Sequence, residues 1–269
     1  MIYTVQGAPL YAYTGGKDFD PSKPTAVFIH GVLNDHSVWI LQTRYFANHG
    51  WNVLAIDLPG HGRSGGKAPA SVQEAAQSVI ALMDAAGVNK AILMGHSFGS
   101  LIAMQAAAEH PDRVSQLVMV GTAYPMRVSP ALLESSISNP HKAIDMVNVF
   151  SHSTLAPPPS ALGPGTWLLG GSKALMRRVL ASNPHENIFN IGFKACDQYD
   201  QGETAMTQVM CPTLFLLAKK DQMTPPKAAQ SLIQKARDGH VAWVNAGHQL
   251  MVEAPEECLN AMLSFCKKS

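Results

Sequence analysis

The sequence predicts an α/β fold with a mostly parallel, eight-stranded sheet flanked by helices and an inserted helical cap. Short apolar runs alternate with helical patterns over residues 25–120, and this alternation is typical of a parallel sheet with right-handed crossovers. The alternation stops over residues 124–203, where only helical patterns are found, and then resumes. We therefore expect the sheet to be completed around an insertion.

The first part of the sheet is predicted to contain a hairpin and four buried strands. Residues 2–7 and 10–14, separated by a Gly7-Ala8-Pro9 turn, form an antiparallel hairpin at the sheet edge. Apolar runs typical of strands buried on both faces lie at 25–29, 52–56, 92–94 and 116–120. Helices are expected at 38–49, at 71–86 with Ser71 as N-cap, and after Ser97.

The insertion and the second part of the sheet follow the same patterns. Helices of the insertion are expected at 130–138, 142–151, 172–180 and 185–199. The core then resumes with a strand at 213–218, a helix at 225–236, a strand at 240–245 and a helix at 255–267. The predicted division is 1–124 for the first part of the α/β core, 125–203 for the cap and 204–269 for the second part of the core.

Composition argues against several functional classes. The 269-residue chain has 20 Lys and Arg against 19 Asp and Glu, without basic or acidic runs, so nothing indicates a nucleic acid or a charged membrane surface as partner. The 4 cysteines lack CxxC spacing, which argues against a zinc site or a redox pair. No apolar run is long enough for a membrane span and residues 1–13 lack a signal-peptide pattern, so we expect a soluble, cytoplasmic protein.

A glycine-bracketed serine is the clearest functional motif. The sequence Gly95-His96-Ser97-Phe98-Gly99 joins an apolar strand to a long apolar helix. The two glycines fit a sharp turn at which a side chain would collide with the neighbouring backbone. Ser97 is then expected at the crest of the turn, with the backbone N–H of Phe98 at the start of the helix, pointing towards developing negative charge.

With these residues the chain resembles the α/β-hydrolases of the capped, single-domain esterase and C–C hydrolase type, over essentially its whole length. The motifs that carry the resemblance are, in chain order, His30-Gly31, the loop Asp57-Leu58-Pro59-Gly60-His61-Gly62-Arg63-Ser64, the serine motif, Lys220-Asp221 with Pro225, and Gly247-His248. Together, in this order, they are a strong signal for that family.

The family order of nucleophile, acid and histidine implies a catalytic triad. A serine hydroxyl is a poor nucleophile at neutral pH, so it needs a histidine to take its proton and an acid to orient that histidine. Asp221 and His248 each follow a predicted strand, at the sheet edge where Ser97 is expected. The end of strand 116–120, the other acid position in this superfamily, has no carboxylate in Gly121-Thr122-Ala123. The candidate catalytic residues are therefore Ser97, Asp221 and His248.

The resemblance also implies an oxyanion hole. The backbone N–H groups of Phe98 and of Val32, which follows His30-Gly31, are expected to converge on the oxyanion. Three residues of the flanking loops, His30, Asp57 and His61, are expected to hold those loops in place. His96 is expected to pack or to form pocket wall, since it lacks an acid partner in this arrangement.

The sequence thus predicts a serine hydrolase whose substrate is a small-molecule, apolar carboxylic ester, cleaved through an acyl-enzyme intermediate without a cofactor or a metal. A thioesterase or a C–C bond hydrolase would use the same triad, and a slow-turnover hydrolase-fold ligand receptor is the alternative from another class. A dehalogenase or epoxide hydrolase is disfavoured, because those relatives carry aspartate at the position of Ser97. The methionine-containing cap helices are expected to roof an adaptable apolar pocket. The oligomeric state is left open, and a homodimer is one state that the sequence allows.

Overall fold

The computed structural model describes residues 1–20, 22–153 and 167–266. The strands are β1 (Ile2–Val5), β2 (Ala8–Tyr13), β3 (Thr25–Ile29), β4 (Asn52–Ile56), β5 (Ala91–His96), β6 (Val114–Val120), β7 (Thr213–Ala218) and β8 (Gly239–Val244). They form one 8-stranded sheet in the order β1-β2-β4-β3-β5-β6-β7-β8. The pairs β1–β2 and β2–β4 are antiparallel and all others are parallel. The predicted fold class is confirmed.

The helices connect the parallel strands and fill the insertion. They are α1 (Ile40–Asn48), α2 (Val72–Ala85), α3 (Phe98–Glu109), α4 (Pro130–Ser138), α5 (Pro140–Ser151), α6 (Leu168–Ser182), α7 (Ile188–Gln198), α8 (Gly202–Gln208), α9 (Gln230–Lys235), α10 (Leu250–Glu253) and α11 (Pro255–Cys266). Ser71 caps α2 as predicted, because its side chain accepts a hydrogen bond from the backbone N–H of Glu74. The described part of α11 ends at Cys266, and the predicted end at residue 267 lies outside the described residues.

The strands β3, β4, β5 and β7 are buried at every position, hence on both faces, which explains their continuous apolar runs. In β3, Val27 and Ile29 belong to one apolar cluster, which includes residues of α2 and α3. Ala26 and Phe28 belong to a second cluster, which includes residues of α1 and α11. Because successive side chains of a strand point to opposite faces, a single five-residue run supplies both layers of the core.

The turn of the edge hairpin lies at a different position from the predicted one. Val5 pairs with Ala8, so the turn consists of Gln6 and Gly7, and Pro9 lies inside β2. The two turn residues have φ of +51° and +81°. A two-residue hairpin of this type needs positive φ at both positions, which proline cannot adopt. The predicted Gly7-Ala8-Pro9 turn is therefore wrong.

The helices between β6 and β7 form an apolar cluster of their own. It includes Ile144 of α5, Val179 of α6 and Phe189 of α7, and the fully buried Leu33 of the core packs into it. The predicted boundaries of the cap, 125–203, stay a prediction. Among the described helices, none combines the length and apolarity needed to cross a lipid bilayer.

Candidate active site

Ser97 lies at the turn between β5 and α3 with φ of +54° and ψ of −120°. This backbone region is costly for a residue with a Cβ, so the surrounding structure must impose it. A Cβ on Gly95 would lie 2.6 Å from the backbone nitrogen of Ser100, and a Cβ on Gly99 would lie 2.7 Å from the carbonyl oxygen of His30. The two glycines of the motif therefore permit close backbone contacts that hold Ser97 at the crest.

The loop after β3 passes directly beside this turn. A Cβ on Gly31 would lie 3.2 Å from the Cβ of Ser97, so only a glycine lets the loop approach without displacing its neighbours. Val32 follows immediately and lines the same cavity as Ser97, and Phe98 is the first residue of α3. The first N–H groups of a helix lack partners within the helix, so that of Phe98 can donate to a ligand. The assignment of Val32 and Phe98 to an oxyanion hole stays a prediction.

His30 connects this loop to the strand end beside it. Its Nδ1–H donates to the carbonyl oxygen of Gly31 at 2.8 Å, and its Nε2 accepts from the backbone N–H of Leu58 at 3.0 Å. Burial lowers the pKa of His30, which favours the neutral ring that this pair of hydrogen bonds requires. The loop-holding role expected for His30 agrees with this geometry.

Asp57 organises the neighbouring glycine-rich loop. Its carboxylate accepts from the backbone N–H groups of His36 at 2.8 Å and Arg63 at 2.9 Å, and from Nδ1–H of His36 at 2.7 Å. The side chains of Asp35, His36 and Asp57 bring atoms that could bind a metal within 4.8 Å of one another. Within the described ranges, this is the one group of at least three His, Cys, Asp or Glu residues that does so. Arg178 already binds Asp35 at 2.6 Å. We therefore interpret this group as a hydrogen-bonded network and not as a metal site.

The structure brings Asp221 and His248 together in a buried pair. Nδ1–H of His248 donates to Oδ2 of Asp221 at 2.8 Å. The other carboxylate oxygen accepts from the backbone N–H groups of Met223 at 2.9 Å and Thr224 at 2.8 Å. Burial raises the pKa of Asp221, but the charge and hydrogen bond of His248 and the hydrogen bonds from Thr224 outweigh it, so the pKa lies below its usual value. The carboxylate is ionised, and its bond to Nδ1 leaves Nε2 of His248 for another partner.

Sequence reasoning missed Thr224. Its hydroxyl lies 2.7 Å from Oδ2 of Asp221, 3.0 Å from Nδ1 of His248 and 2.9 Å from the carbonyl oxygen of Gly121. Thr224 therefore ties the acid to the histidine and to the end of β6. The available signal was local, because Asp221 lies three residues before Thr224 and four before Pro225, a spacing typical of an aspartate that stabilises a turn.

His96 has a more specific place than the predicted packing or wall position. Its Nε2–H donates to the backbone carbonyl of His248 at 2.9 Å, and the two ring centroids are 4.6 Å apart. Burial, together with nearby His248, lowers the pKa of His96 to about 3, so its ring is neutral at physiological pH. His96 also lines the cavity described next. The residue before Ser97 thus holds the loop that carries His248.

Ser97 and His248 open into a cavity of 290 Å³, the Ser97 cavity, between the sheet edge and helices α4–α7. Most of its lining is apolar, with side chains from all four helices and the adjoining loops. They include Met126, Val128, Leu132, Met146, Val147, Phe150, Met176, Phe193 and Met223. Such a cavity with a few polar groups is typical of a small-molecule site. Cys196 also lines it, but burial raises the pKa of its thiol, which disfavours a reactive thiolate.

The chain matches two hydrolase families over separate segments. A family described as alpha/beta hydrolase fold matches residues 24–155, and one described as TAP-like protein matches residues 190–265. The lipase LipV of Mycobacterium tuberculosis is 36% identical over 106 residues, which is 39% of this chain and 40% of that protein. The sn-1-specific diacylglycerol lipase ABHD11 of Mus musculus is 24% identical over 262 residues, 92% of this chain and 82% of that protein. The chain spans less than half the length of LipV and of several other curated relatives.

Solved structures share the fold at low sequence identity. The enol-lactonase from Burkholderia xenovorans LB400 has a TM-score of 0.84 at 18% identity, and the match covers 99% of this chain and 100% of the other. An esterase from Exiguobacterium antarcticum has a TM-score of 0.83 at 17% identity, covering 99% and 98% of the two chains. With the sheet order, the serine turn and the family matches, these findings show that the chain belongs to the α/β-hydrolase superfamily and has esterase-like and lipase-like relatives.

Proposed function

We propose that the protein is a serine hydrolase that cleaves carboxylic esters through an acyl-enzyme intermediate. The observation that carries the proposal is the buried pair of Asp221 and His248, 2.8 Å apart, whose histidine lines one cavity with Ser97. A histidine held by a carboxylate at Nδ1 is the base that a serine nucleophile needs.

The first half of the reaction forms the acyl-enzyme. Nε2 of His248 takes the proton of the Ser97 hydroxyl as its oxygen attacks the ester carbonyl carbon. The carbonyl oxygen becomes an oxyanion, which the backbone N–H groups of Val32 and Phe98 stabilise. His248 then gives its proton to the departing alcohol oxygen, the carbon–oxygen bond breaks, and the acyl group remains on Ser97.

The second half releases the acid. His248 takes a proton from a water molecule, whose oxygen attacks the acyl carbon and forms a second oxyanion. The proton returns to the oxygen of Ser97 as the acyl bond breaks, so the free acid leaves and the enzyme is restored. Throughout the cycle Asp221 stays ionised and stabilises the positive charge that His248 acquires.

The lining of the Ser97 cavity supports an apolar ester as substrate. Within its described lining Arg127 is the single Lys or Arg side chain, and its guanidinium already donates to the carbonyl oxygen of Asp197 at 2.6 Å. A substrate rich in carboxylates or phosphates would require fixed cationic partners. The names of the relatives, a lipase, a diacylglycerol lipase and an esterase, point the same way.

Turnover and covalent labelling test this proposal together. The purified protein should hydrolyse p-nitrophenyl butyrate through many cycles, and faster than a butanoyl thioester or a vinylogous diketone. A serine-reactive phosphonate should add its mass to the peptide that contains Ser97 and abolish the activity. A single burst without further turnover would indicate a ligand receptor, and labelling of another peptide would contradict the assignment of Ser97.

A further inference from the structure

A second apolar cavity lies next to the Ser97 cavity. It has a volume of 210 Å³ and lies between α6 on one side and the turn His36–Trp39, α1 and α10 on the other. We call it the distal cavity. Its apolar side chains are Val38, Ile40, Leu41, Trp167, Leu168, Leu175, Met251 and Val252. A space with this lining binds hydrocarbon better than any polar group.

Two side chains, Asn34 and Gln249, line both cavities and form the wall that separates them. Asn34 donates to the carbonyl oxygen of Val32 at 3.2 Å, while its buried Oδ1 has no hydrogen-bond partner within the described structure. Moving the Asn34 side chain aside therefore breaks one long hydrogen bond, that to the carbonyl oxygen of Val32, and Oδ1 of Asn34 has no bond to lose. The two cavities are therefore adjacent, and Asn34 is a weakly held part of the wall between them.

Apolar surface is also exposed at the outer side of the distal cavity. Trp167, which lines it, is 61% exposed. Exposed apolar surface beside a cavity is typical of a place where an apolar ligand binds. The shared wall indicates the kind of ligand. A hydrocarbon chain that is attached at Ser97 and is too long for the Ser97 cavity reaches the distal cavity once it passes Asn34 and Gln249.

We propose that the distal cavity binds the far end of a long, unbranched apolar chain of the ester whose carbonyl lies at Ser97. This inference rests on the proposed function and deepens it, since it assigns long-chain esters as the substrate class. The chain can belong to the acid or to the alcohol of the ester, because both are hydrocarbon, and the two sources are separated by experiment.

The structure offers a variant that fills the distal cavity without crowding the protein. Gly171 lines this cavity, and a Cβ on it would have no heavy atom within 4 Å. Gly171 lies in α6, and leucine is a better helix former than glycine, so Gly171→Leu should fold. Ser172→Leu fills the same cavity from the next position. Ala174→Leu is the matched control, because Ala174 is exposed on the same helix and lines neither cavity.

The test is the chain-length profile of kcat/KM below micelle-forming concentrations, with p-nitrophenyl esters of acids from four to fourteen carbons and with alkyl butyrates of the same range. Wild type and Ala174→Leu should gain up to about fourfold for each added methylene that is buried. In Gly171→Leu and Ser172→Leu, the ratio of the twelve-carbon to the four-carbon value should fall at least tenfold in one series, which identifies the acid or the alcohol as the source of the chain.

Profiles of both filled variants that coincide with wild type in both series would overturn the proposal. So would an equal loss in Ala174→Leu, since that would trace the effect to α6 and not to the cavity. Failure of the proposed function would look different, because wild type would then not hydrolyse even the four-carbon esters.

Discussion

His96 donates a hydrogen bond from Nε2 to the backbone carbonyl of His248 at 2.9 Å. The residue before the candidate nucleophile therefore fixes the loop of the candidate base, so the two ends of the site are tied across 152 positions of sequence. This bond requires a proton on Nε2. It also leaves Nδ1 of His96 buried and without a partner among the described residues, so the ring can be charged only at a large cost.

The neutral ring of His96 predicts a pH-dependent stability. Its pKa falls from 6.5 to about 3 on folding, so the unfolded chain binds the extra proton between those values and stability is lost as pH falls below about 6.5. The contribution of one such histidine changes by about 1.4 kcal/mol per pH unit. We expect the difference in unfolding free energy between wild type and His96→Gln, from urea denaturation, to shrink by about 2 kcal/mol between pH 7 and pH 5. A difference that is constant over this range would contradict the prediction.

The hydrogen bond between Asp221 and His248 leads us to expect that Asp221→Asn lowers kcat and leaves the fold unchanged. Asp221→Asn removes the charge that stabilises protonated His248 and presents an amide that can favour the wrong tautomer, and in a serine-protease triad this change lowers kcat about 10⁴-fold. We expect a loss of that order on p-nitrophenyl butyrate, with an unchanged circular dichroism spectrum. Asp84→Asn is a suitable control because Asp84 pairs with Arg113 at 2.6 Å and neither residue lines the Ser97 cavity. A mild loss would mean that another group orients His248.

The cap helix α5 predicts an effect on chain-length preference. Met146 and Phe150 line the Ser97 cavity, whereas Val149, on the same helix, is exposed and does not. A longer acyl chain must be buried by these side chains, at about 0.8 kcal/mol per methylene, whereas an acetyl ester needs little of them. Met146→Trp and Phe150→Ala should therefore change kcat/KM for p-nitrophenyl octanoate more than for the acetate, and Val149→Ala should change neither. Equal factors on both esters would make the cap a stabilising element only.

The backbone of Ser97 predicts a difference between two small substitutions. Its φ of +54° is favourable for glycine and costly for any residue with a Cβ. In urea denaturation, Ser97→Gly should therefore be more stable than Ser97→Ala by about 1 kcal/mol. At most other positions glycine lowers the stability of a protein, because it raises the conformational entropy of the unfolded chain. Equal stability, or a less stable glycine variant, would show that the turn stores no strain.

The sequence was sufficient where a local pattern decides the structure. The apolar run at 25–29 is β3, and the bracketing glycines are explained by the close contacts of Gly95 and Gly99. The hairpin turn was misplaced because Gly7 and Pro9 are both turn-forming residues, and only the sign of φ distinguishes their places. Patterns of this kind predict elements better than their exact ends.

The missed parts of the site depend on contacts between distant residues. Thr224 reaches the carbonyl oxygen of Gly121 across 103 positions, and His36 reaches the carboxylate of Asp57 across 21. No spacing rule connects such partners, because only the folded arrangement of the sheet and its loops brings them together. The role of His96 was missed for the same reason, since its partner is a backbone carbonyl that carries no sequence signal.

The central claim is that Ser97 is the nucleophile, and kcat of Ser97→Ala on p-nitrophenyl butyrate tests it most directly. Removal of a nucleophile leaves only binding and the oxyanion donors, so kcat should fall at least 10³-fold in a protein with the circular dichroism spectrum of wild type. Ser231→Ala is the matched control, because Ser231 lies on α9 and does not line the Ser97 cavity. A folded, contamination-free Ser97→Ala protein that keeps more than a tenth of wild-type kcat would contradict the account.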